Sequence, residues 1–236
     1  MYTMEKVLII EDDADLAELM SIHISDMGYE TEKSFDGKDG LLKALNNKYK
    51  IIILDIRLPG LDGFDICKKI RLEKDTTPIL MVTSKSEEID KILGLELGAD
   101  DYITKPFSIR ELIARVKAII RRTEIAVRVE DDSSDKEIRY SNFYIHTGKR
   151  IVEVNDKRIE LSPKEFDLLT LLSSHPGKTY TRMQLLNTVW GYDFEGFEHT
   201  VNSHINRLRS KIENDANQPE FILTTWGVGY KFKEVE

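Results

Sequence analysis

Five polar residues of this sequence closely follow short apolar runs, and their types suit the binding of a metal cation. They are Glu11, Asp12, Asp55, Thr83 and Lys105. Carboxylates that lie close together repel one another unless a cation offsets their charge. Oxygen ligands with room for water suit Mg²⁺ better than they suit zinc or copper. If the fold gathers these residues, the sequence indicates a Mg²⁺ site with a hydroxyl and an ammonium group beside it.

The elements that would gather them alternate between strand and helix. Short runs rich in branched side chains predict buried strands at 7–10, 51–54 and 78–82, and a further short strand is predicted at 101–104. Amphipathic stretches predict helices at 15–27, 37–46, 64–72, 89–97 and 109–122. This alternation predicts an α/β fold with a doubly wound parallel sheet, in which ligands bind at the carboxyl ends of the strands.

Each acid taken alone has a simpler interpretation. A single carboxylate after a strand is equally compatible with a solvated loop or with the cap of the next helix, as at Asp13 or Asp15. Only the set at successive strand ends favours a binding site.

The whole chain has the composition of a soluble globular protein. It has 236 residues, a formal net charge of −8, 41% hydrophobic residues and 32% charged residues, enough for one large domain or two small ones. Its single cysteine, Cys67, excludes a disulfide framework and a Cys-based zinc site. No run reaches the roughly 18 apolar residues of a membrane span, and the N-terminus lacks the pattern of a signal peptide. We therefore expect a cytoplasmic protein with no membrane partner.

An acidic stretch separates two parts of different character. Residues 124–137 carry six acids and two bases, and 130–137 contain no apolar residue. Such a stretch is typical of an exposed, flexible linker. The predicted organisation is a first domain at 1–122, a linker at 123–137 and a second domain at 138–236.

The second domain is predicted to be a small α+β unit. Alternating runs predict strands at 143–146, 150–154 and 157–161. Ser162, Pro163 and Glu165 form the start signal of a helix. Further helices are predicted at 181–190 and 200–213, and a hairpin at 221–224 and 230–232. Helices followed by a hairpin suggest a winged helix-turn-helix.

The predicted helix at 200–213 has a polar face suited to DNA. There is no acid between Glu198 and Glu213, and apolar residues recur at helical spacing for the core. Asn and Arg side chains on the other face suit adenine and guanine edges, and further cations suit phosphates. A solvated basic helix surface is the alternative interpretation. His199 and His204 have no metal-binding spacing.

Four segments of the first half resemble, in order and spacing, the receiver domain of two-component response regulators. They are 7–13, 53–63, 82–84 and 98–107, within a match over about residues 5–122. The resemblance implies a five-stranded parallel sheet and a sensor histidine kinase that phosphorylates Asp55. It also implies that Glu11, Asp12, Asp55 and the main-chain carbonyl of Arg57 hold Mg²⁺.

The same resemblance assigns roles to residues around Asp55. Lys105 would pair with one phosphoryl oxygen, as a movable point charge can, and Thr83 would donate its hydroxyl to another. Thr83 and Tyr102 would form a switch, in which Thr83 moves inward and Tyr102 swings into the vacated space. The Lys105–Pro106 peptide would be cis. The domain would catalyse only its own phosphorylation and slow dephosphorylation, as a switch rather than a metabolic enzyme.

Charges of both signs mark the end of the first domain. Taken alone they are typical of a solvated surface, on which isolated ion pairs add little stability. They also resemble the face through which one receiver subfamily dimerises on phosphorylation. The implied cross-subunit pairs are Lys91 with Glu111 and Asp101 with Arg115, around an apolar centre of Leu95 and Ala114. The full implied face is Lys91, Leu95, Glu96, Asp100, Asp101, Glu111, Ala114, Arg115, Lys117 and Arg122.

The second half resembles the OmpR/PhoB-type effector domain from about residue 138 to 232. The matching segments are 161–166, 175–177, 189–192, 200–209 and 227–230. The resemblance implies double-stranded promoter DNA and RNA polymerase as partners. The implied base readers are Asn202, Asn206 and Arg207, with Ser203 beside them on the polar face. The implied phosphate contacts are Thr200, His204, Arg209 and Thr224.

The predicted wing departs from the family at Trp226, where an Arg commonly stands. Trp cannot supply a cation to the minor groove, so Trp226 is expected to contact DNA sugars or to pack on its own domain. The effector half carries no net charge. We therefore expect it to bind weakly as a monomer and to depend on dimerisation.

Three classes of protein are weighed against these sequence patterns. The first is a transcription regulator in which Mg²⁺-dependent phosphorylation of Asp55 favours a homodimer on repeated DNA half-sites. The second is a phosphatase with an aspartyl intermediate, but no second acid stands two residues after Asp55, and nucleotide-binding motifs are absent. The third is a DNA binder that ignores phosphorylation, which the intact set of pocket residues argues against. The sequence predicts the first class.

Overall fold

The apolar runs of the N-terminal half form one sheet in the computed structural model of the protein. Its strands are β1 (Lys6–Ile10), β2 (Glu30–Ser34), β3 (Ile51–Asp55), β4 (Ile79–Ser84) and β5 (Asp101–Lys105). They lie in the order β2-β1-β3-β4-β5, and every neighbouring pair is parallel. The predicted five-stranded parallel sheet is therefore confirmed.

The structure describes residues 5–84, 88–128, 137–140, 142–191 and 198–234, without the side chains of 88–92, 122–128 and 198. The chain divides into two units, Met1–Ile120 and Arg121–Glu236. No helix in the described ranges is long and apolar enough to cross a membrane.

Four helices connect the strands of the parallel sheet, and a fifth follows β5. They are α1 (Ala14–Ser25), α2 (Gly37–Asn46), α3 (Gly63–Leu72), α4 (Glu88–Leu97) and α5 (Ile109–Arg128). Asp13 caps α1, because its side chain accepts from the main-chain N–H groups of Asp15 and Leu16, both at 3.0 Å. One core layer fills the space between the sheet and the inner faces of α1 and α5, where Met20, Ile24 and Leu112 are fully buried.

Two features of this unit differ from the sequence prediction. The sequence pattern does not predict β2, because the Glu30–Ser34 sequence is polar, as suits a strand at the edge of a sheet. α5 continues to Arg128, past the predicted linker boundary at 122. The stretch without apolar residues begins only at Glu130. The residues before it include Ile125, Ala126 and Val127, which are compatible with a longer helix.

The second unit combines two antiparallel sheets with three helices, as the winged-helix prediction requires. The first sheet contains β6 (Glu137–Tyr140), β7 (Phe143–His146), β8 (Ile151–Val154) and β9 (Lys157–Arg158). After it come α6 (Pro163–Ser173), β10 (Tyr180–Thr181), α7 (Arg182–Trp190), α8 (Glu198–Ile212), β11 (Ile222–Thr225) and β12 (Gly229–Phe232). The second sheet has the order β10-β12-β11.

Local signals explain where these elements begin and end. Ser162 caps α6 in a capping box with Glu165, as predicted. The predicted strand at 157–161 is shorter in the structure, since β9 ends at Arg158 and the chain then turns towards Ser162. Aromatic rings join the two sheets, with Phe143 lying 4.8 Å from Phe221 and 5.6 Å from Phe232 between ring centroids.

Candidate functional site

The carboxyl ends of the parallel strands bring the predicted pocket residues to one edge of the sheet. Glu11 follows β1, Asp55 ends β3, Thr83 lies near the end of β4 and Lys105 ends β5. Because β1 and β3 are neighbours in the sheet, Glu11 and Asp55 meet although 43 residues of sequence separate them.

The pocket is a cluster of three carboxylates around one ammonium group. One oxygen from each of Glu11, Asp12 and Asp55 lies within 4.8 Å of the others. The Lys105 ammonium donates to Glu11 Oε1 at 2.7 Å and to Asp55 Oδ2 at 2.8 Å. Glu11 and Asp55 are buried, whereas Asp12 is exposed. The cluster is open to solvent at Asp12. Its three carboxylates and one ammonium leave a net negative charge, which a second cation would reduce.

The oxygens of this cluster fit a hard divalent cation. Glu11 Oε2 is buried and has no hydrogen-bond partner among the described residues. A buried carboxylate oxygen without a donor is costly, so a ligand that coordinates it would stabilise the pocket. The main-chain N–H of Arg57 donates to Asp55 Oδ1 at 3.3 Å, which brings the backbone of Arg57 beside the same cluster. Oxygen ligands with one side open to water are the set that Mg²⁺ prefers.

Burial and charge shift the ionisation of the pocket. Burial raises the pKa of Glu11 to about 7, helped by the nearby charge of Asp55 and opposed by the hydrogen bond from Lys105. For Lys105, burial lowers the pKa, but the hydrogen bonds to Asp55 and Glu11 outweigh it and the net pKa is raised. The ammonium therefore stays charged, and Glu11 is the pocket acid that takes up a proton near neutral pH.

Gly63 allows the loop after β3 to lie against the backbone of Asp55. A Cβ atom at this position would come within 2.2 Å of the Asp55 carbonyl oxygen. The Gly63 N–H also donates to the carbonyl of Ile56 at 2.8 Å. Sequence analysis missed this residue, because a glycine at the start of a helix has several explanations and only the fold reveals the close approach.

The predicted switch residues lie at the same edge of the sheet. Thr83 is buried and its hydroxyl donates to the Ser84 carbonyl at 3.2 Å. Tyr102 is half-buried on β5. The predicted cis Lys105–Pro106 peptide is confirmed.

Several residues of the implied dimer face are already engaged within the first unit. Arg115 donates to both carboxylate oxygens of Asp101, at 3.2 and 3.1 Å, and to Glu111 at 3.0 Å. The predicted cross-subunit pair of Asp101 with Arg115 is thus an intramolecular pair here, since α5 carries Arg115 directly beside β5.

Two further residues of that face are corrected by their burial. Leu95 is fully buried in the core, so it is not available as an apolar centre of an interface. Asp100 is fully buried and accepts from Arg71 at 3.1 Å and from the main-chain N–H of Ile79 at 3.0 Å, which makes it a structural residue. The remaining residues of that face with described side chains are exposed or half-buried: Glu96, Asp101, Glu111, Ala114, Arg115 and Lys117. The side chains of Lys91 and Arg122 lie outside the described residues.

In the second unit, α7 and α8 form a helix-turn-helix arrangement with β11 and β12 as the wing. Val201, Ile205, Leu208 and Ile212 of α8 are buried, as their spacing predicted. The opposite face of α8 therefore carries the polar residues. Asn206 is exposed, and Asn202 and Ser203 are half-buried on this face.

Three predicted phosphate contacts are corrected by the structure. Thr200 and His204 are 0% and 1% exposed, so their side chains cannot reach a phosphate. The His204 ring instead packs edge-on against Trp190, with centroids 4.9 Å apart. Arg209 is buried and donates to the Ile222 carbonyl through Nε at 3.0 Å. These contacts of His204 and Arg209 hold α8 against α7 and the wing.

Arg209 and Glu213 fix the wing to α8. Arg209 Nη2 also donates to the hydroxyl of Thr224, at 2.9 Å, which leaves Thr224 half-buried beside the helix. The Glu213 carboxylate accepts from the main-chain N–H groups of Glu220, Phe221 and Ile222, at 2.8 to 3.2 Å. These hydrogen bonds hold the β11–β12 hairpin in a fixed position against the C-terminal end of α8.

Arg182 is a residue of this surface that sequence analysis missed. Its Nε donates to Asn202 Oδ1 at 3.0 Å, and its Nη1 approaches the Val228 carbonyl at 3.4 Å. Asn202 Oδ1 also accepts from the Tyr230 hydroxyl at 2.9 Å. Arg182 thus links α7, α8 and the wing. In the sequence, Thr181 and Arg182 predict only the start of a helix. The contacts of Arg182 are with residues far away in the sequence, so a local pattern does not indicate them.

The tip of the wing is apolar and points into solvent. Trp226 is 90% exposed and Val228 is 43% exposed. The left-handed backbone of Gly227, with φ +74°, allows the tight turn between them. The exposure of Trp226 excludes packing on its own domain, and leaves a DNA contact as the remaining expectation for this residue.

Two protein families match successive parts of this chain. The response regulator receiver domain matches residues 7–117, and the C-terminal domain of transcriptional regulatory proteins matches residues 155–232. A receiver joined to a winged-helix DNA-binding domain defines a transcriptional response regulator, a signalling switch with a histidine kinase and DNA as its partners. The chain belongs to the OmpR/PhoB type of these regulators, as the two family matches and a relative with 44% identity over nearly the whole chain show.

A relative with a curated description is the alkaline phosphatase synthesis transcriptional regulatory protein PhoP of Bacillus subtilis (strain 168). It is 44% identical over 233 residues, which cover 98% of this chain and 97% of PhoP. Among solved structures, a mutant of RitR matches 98% of this chain and 99% of its own, with 28% identity and a TM-score of 0.66. DrrB of Thermotoga maritima, described as an OmpR/PhoB homolog, is 31% identical with a TM-score of 0.49, over 98% of this chain and 100% of its own.

Proposed function

We propose that Mg²⁺-dependent phosphorylation of Asp55 by a histidine kinase controls DNA binding by this regulator. In this proposal the phosphorylated chain forms a homodimer, which binds repeated half-sites in promoter DNA in the cytoplasm and acts on RNA polymerase. The observation that carries the proposal is the Lys105 ammonium, which lies 2.7 Å from Glu11 and 2.8 Å from Asp55 within the three-carboxylate cluster.

The chemistry at Asp55 is a transfer of a phosphoryl group between two side chains. A carboxylate oxygen of Asp55 attacks the phosphorus of the kinase phosphohistidine, the P–O bond forms and the P–N bond breaks. Asp55 is buried beside Lys105, so its carboxylate is held in place before the donor arrives. The charge of Lys105 offsets the negative charge that the phosphoryl oxygens bring into the pocket.

The cation site would be formed by Glu11, Asp12 and Asp55, with the main-chain carbonyl of Arg57. When bound there, Mg²⁺ supplies charge neutralisation for the transferred group and for the crowded carboxylates. Glu11 Oε2 has no hydrogen-bond partner among the described residues and would be the oxygen available to the ion, while Glu11 Oε1 accepts from Lys105.

Thr83 and Tyr102 would transmit the change to the dimer face. The Thr83 hydroxyl now donates to the carbonyl of Ser84, so it has to rotate to donate to a phosphoryl oxygen. In this proposal that movement would leave space near β5, and Tyr102, which is half-buried on β5, would enter it. The proposed face uses the residues that remain accessible on β5 and α5, chiefly Asp101, Glu111, Ala114, Arg115 and Lys117, together with Glu96. The intramolecular pairs of Arg115 would have to open or be shared with the second subunit.

The DNA-binding surface would be the exposed side of α8 and the wing. Asn202, Ser203, Asn206 and Arg207 lie on α8, Arg182 lies beside them, and Thr224 and Trp226 belong to the wing. The half-buried or exposed state of each supports this assignment. Asn206 and Arg207 are the proposed base readers.

The direct test measures molar mass and DNA binding together. The full-length protein is studied with Mg²⁺, with and without beryllofluoride as a phosphoryl mimic, and Asp55→Ala serves as the control. We expect the wild type to change from monomer to dimer with beryllofluoride and to bind a duplex carrying two half-sites, whereas Asp55→Ala does neither. A dimer in every sample would favour a DNA binder that ignores phosphorylation. A monomer in every sample that nevertheless binds DNA on activation would remove dimerisation from the proposal.

A further inference from the structure

The first turn of α2 lies against the loop that follows Asp55. The Gly37 N–H donates to the Pro59 carbonyl at 3.0 Å. A Cβ atom on Gly37 would come within 1.8 Å of the Leu61 carbonyl oxygen, so a glycine is needed for the helix to approach the loop this closely. Gly37 therefore contacts the same loop, between β3 and α3, that carries Arg57.

The two ends of this loop are held at the sheet, whereas its middle is held by α2. At the start of the loop the Ile56 N–H donates to a carbonyl of β4 at 3.1 Å, and at its end the Gly63 N–H donates to the Ile56 carbonyl at 2.8 Å. Within the described ranges, Gly37 is the only residue of another element that donates a hydrogen bond to 57–61. The position of the Arg57 carbonyl therefore depends on this contact with α2.

The same turn of α2 is joined to the strand end that carries Glu11. A Cβ atom on Gly40 would come within 2.6 Å of the Ile10 side chain, so α2 also packs closely on β1. The Glu11 N–H donates to the Ser34 carbonyl at 3.0 Å, and the Ser34 hydroxyl donates to Asp39 at 2.6 Å. The start of α2 thus connects the backbone of Glu11 with the loop after β3, and each of these two segments supplies a proposed ligand of the cation.

We propose that Gly37 is a positioning residue for the cation site, which sets the distance between the Arg57 carbonyl and the Glu11 carboxylate. Replacing a residue that orients metal ligands from behind typically costs about 10- to 100-fold in metal affinity. Mg²⁺ demands nearly ideal octahedral geometry, so a loop displaced by an added Cβ atom would bind it poorly. The inference rests on the proposed cation site and adds a residue, on a different element, that determines its affinity.

Isothermal titration calorimetry of the full-length protein with Mg²⁺ alone measures this affinity without a phosphoryl donor. We expect Gly37→Ala to bind Mg²⁺ about 10- to 100-fold more weakly than the wild type. The control is Ala44→Gly, which removes a buried methyl group near the other end of α2 and weakens the helix there. It should bind Mg²⁺ as the wild type does. Wild-type affinity in Gly37→Ala, or an equal loss in both variants, would overturn the inference.

Amide hydrogen exchange of the wild type, followed by NMR, is a second test that does not depend on the folding of Gly37→Ala. Because coupling is reciprocal, bound Mg²⁺ should oppose the opening of the Gly37–Pro59 hydrogen bond. We expect saturating Mg²⁺ to slow exchange of the Gly37 N–H by about 10-fold or more. The Asn47 N–H, which donates to the Lys43 carbonyl at the other end of α2, should exchange at an unchanged rate. Equal slowing at both amides, or none at Gly37, would contradict the proposed coupling.

A failure of the proposed function would give a different result. Asp55→Ala removes a carboxylate ligand and should lose most of the affinity for Mg²⁺. If the wild type binds no Mg²⁺, or if Asp55→Ala binds it as the wild type does, the proposed cation site fails and the inference fails with it. If only Gly37→Ala behaves as the wild type, the cation site stands and the inference alone is wrong.

Discussion

At the scale of single residues, the balance of charge in the acidic pocket depends on Lys105. Its ammonium contacts two buried carboxylates at once, while Asp12 stays exposed. Burial is the main cause of the raised pKa of Glu11, and the nearby charge of Asp55 adds to it while the hydrogen bond from Lys105 opposes it. The free pocket therefore holds a proton near neutral pH that a divalent cation would replace.

The raised pKa of Glu11 predicts how pH affects the metal-free protein. The ordinary value of 4.5 is raised to about 7 in the folded chain. In the unfolded chain the Glu11 carboxyl ionises at a lower pH than in the folded chain. The free energy of unfolding therefore falls as pH rises from 4.5 to about 7, and it is constant with respect to this group above that range. We expect Glu11→Gln to be free of this loss. Its unfolding free energy relative to wild type should rise over that interval and level off above it.

Urea unfolding without Mg²⁺, followed by circular dichroism across this pH range, measures the difference. A difference between Glu11→Gln and wild type that does not vary with pH would contradict the assignment. With Mg²⁺ in excess the wild type should regain stability as pH rises, because the ion binds the ionised carboxylate.

Trp226 at the wing tip predicts an apolar contribution to DNA affinity. Its side chain is 90% exposed and carries no charge, so its contact with sugars would release no counterions. We expect Trp226→Ala to weaken binding by about 1–2 kcal/mol of lost apolar burial without changing the slope of log affinity against log salt. Trp226→Arg should steepen that slope by about one unit.

Fluorescence titrations of a two-half-site duplex at several salt concentrations give both quantities. Phe35→Ala removes an aromatic ring of 47% exposure from the receiver unit and should change neither. A shallower slope in Trp226→Ala would show that this position acts through charge.

At the scale of elements, the sequence indicated the buried strands well and missed the edge strands β2 and β10. β1, β3 and β4 are fully or almost fully buried apolar runs, so composition alone marked them. β2 carries a polar sequence at the sheet edge, and β10 has only two residues. Strands of this kind are defined by the neighbours that they pair with, which a local pattern does not contain.

The direction of side chains on α8 was also beyond local patterns. Helical spacing identified the buried apolar residues of α8 correctly, but it did not show that Thr200, His204 and Arg209 are buried as well. It could not show that Glu165, on α6, lies within reach of Lys211. The pocket of the first unit was predictable for the opposite reason. Its residues are fixed by strand ends, and the topology of a parallel sheet places those ends together.

Arg71 provides a test of how elements are joined at the far edge of the sheet. Its guanidinium donates to the carbonyls of Gly98, Asp75 and Thr77, and to the buried carboxylate of Asp100 at 3.1 Å. It thereby ties the end of α3 to the starts of β4 and β5. We expect Arg71→Leu to lower the unfolding free energy by about 3–5 kcal/mol, because it leaves a buried charge without its cation.

Lys69→Leu is the matched control, since Lys69 is exposed on the same helix. It should change stability by no more than about 0.5 kcal/mol. Chemical unfolding of the full chain compares the two variants. Equal losses in both would mean that the Arg71 network contributes little.

At the scale of the whole molecule, affinity for DNA has to come from joining two chains, each of which binds DNA weakly. The chain carries a net charge of −8. On α8, Lys211 donates to Glu165 and Arg209 donates to the Ile222 carbonyl of the wing. The described Lys and Arg side chains of α8 are therefore poorly placed to contact phosphates, which supply most non-specific affinity. A monomer should therefore bind poorly, and a dimer should gain by making the second binding event intramolecular.

This reasoning predicts a strict dependence on half-site number and spacing. Duplexes with two half-sites about 10–11 base pairs apart present both to the same side of DNA. With beryllofluoride, the wild type should bind such a duplex about 100- to 10,000-fold more tightly than a duplex with one half-site. Inserting about half a helical turn, or about five base pairs, should remove most of that gain, because one dimer can no longer reach both sites. Asp55→Ala should show no gain with any spacing. A gain that survives the insertion, or that Asp55→Ala shares, would mean that the two DNA-binding units are joined independently of the phosphorylated receiver.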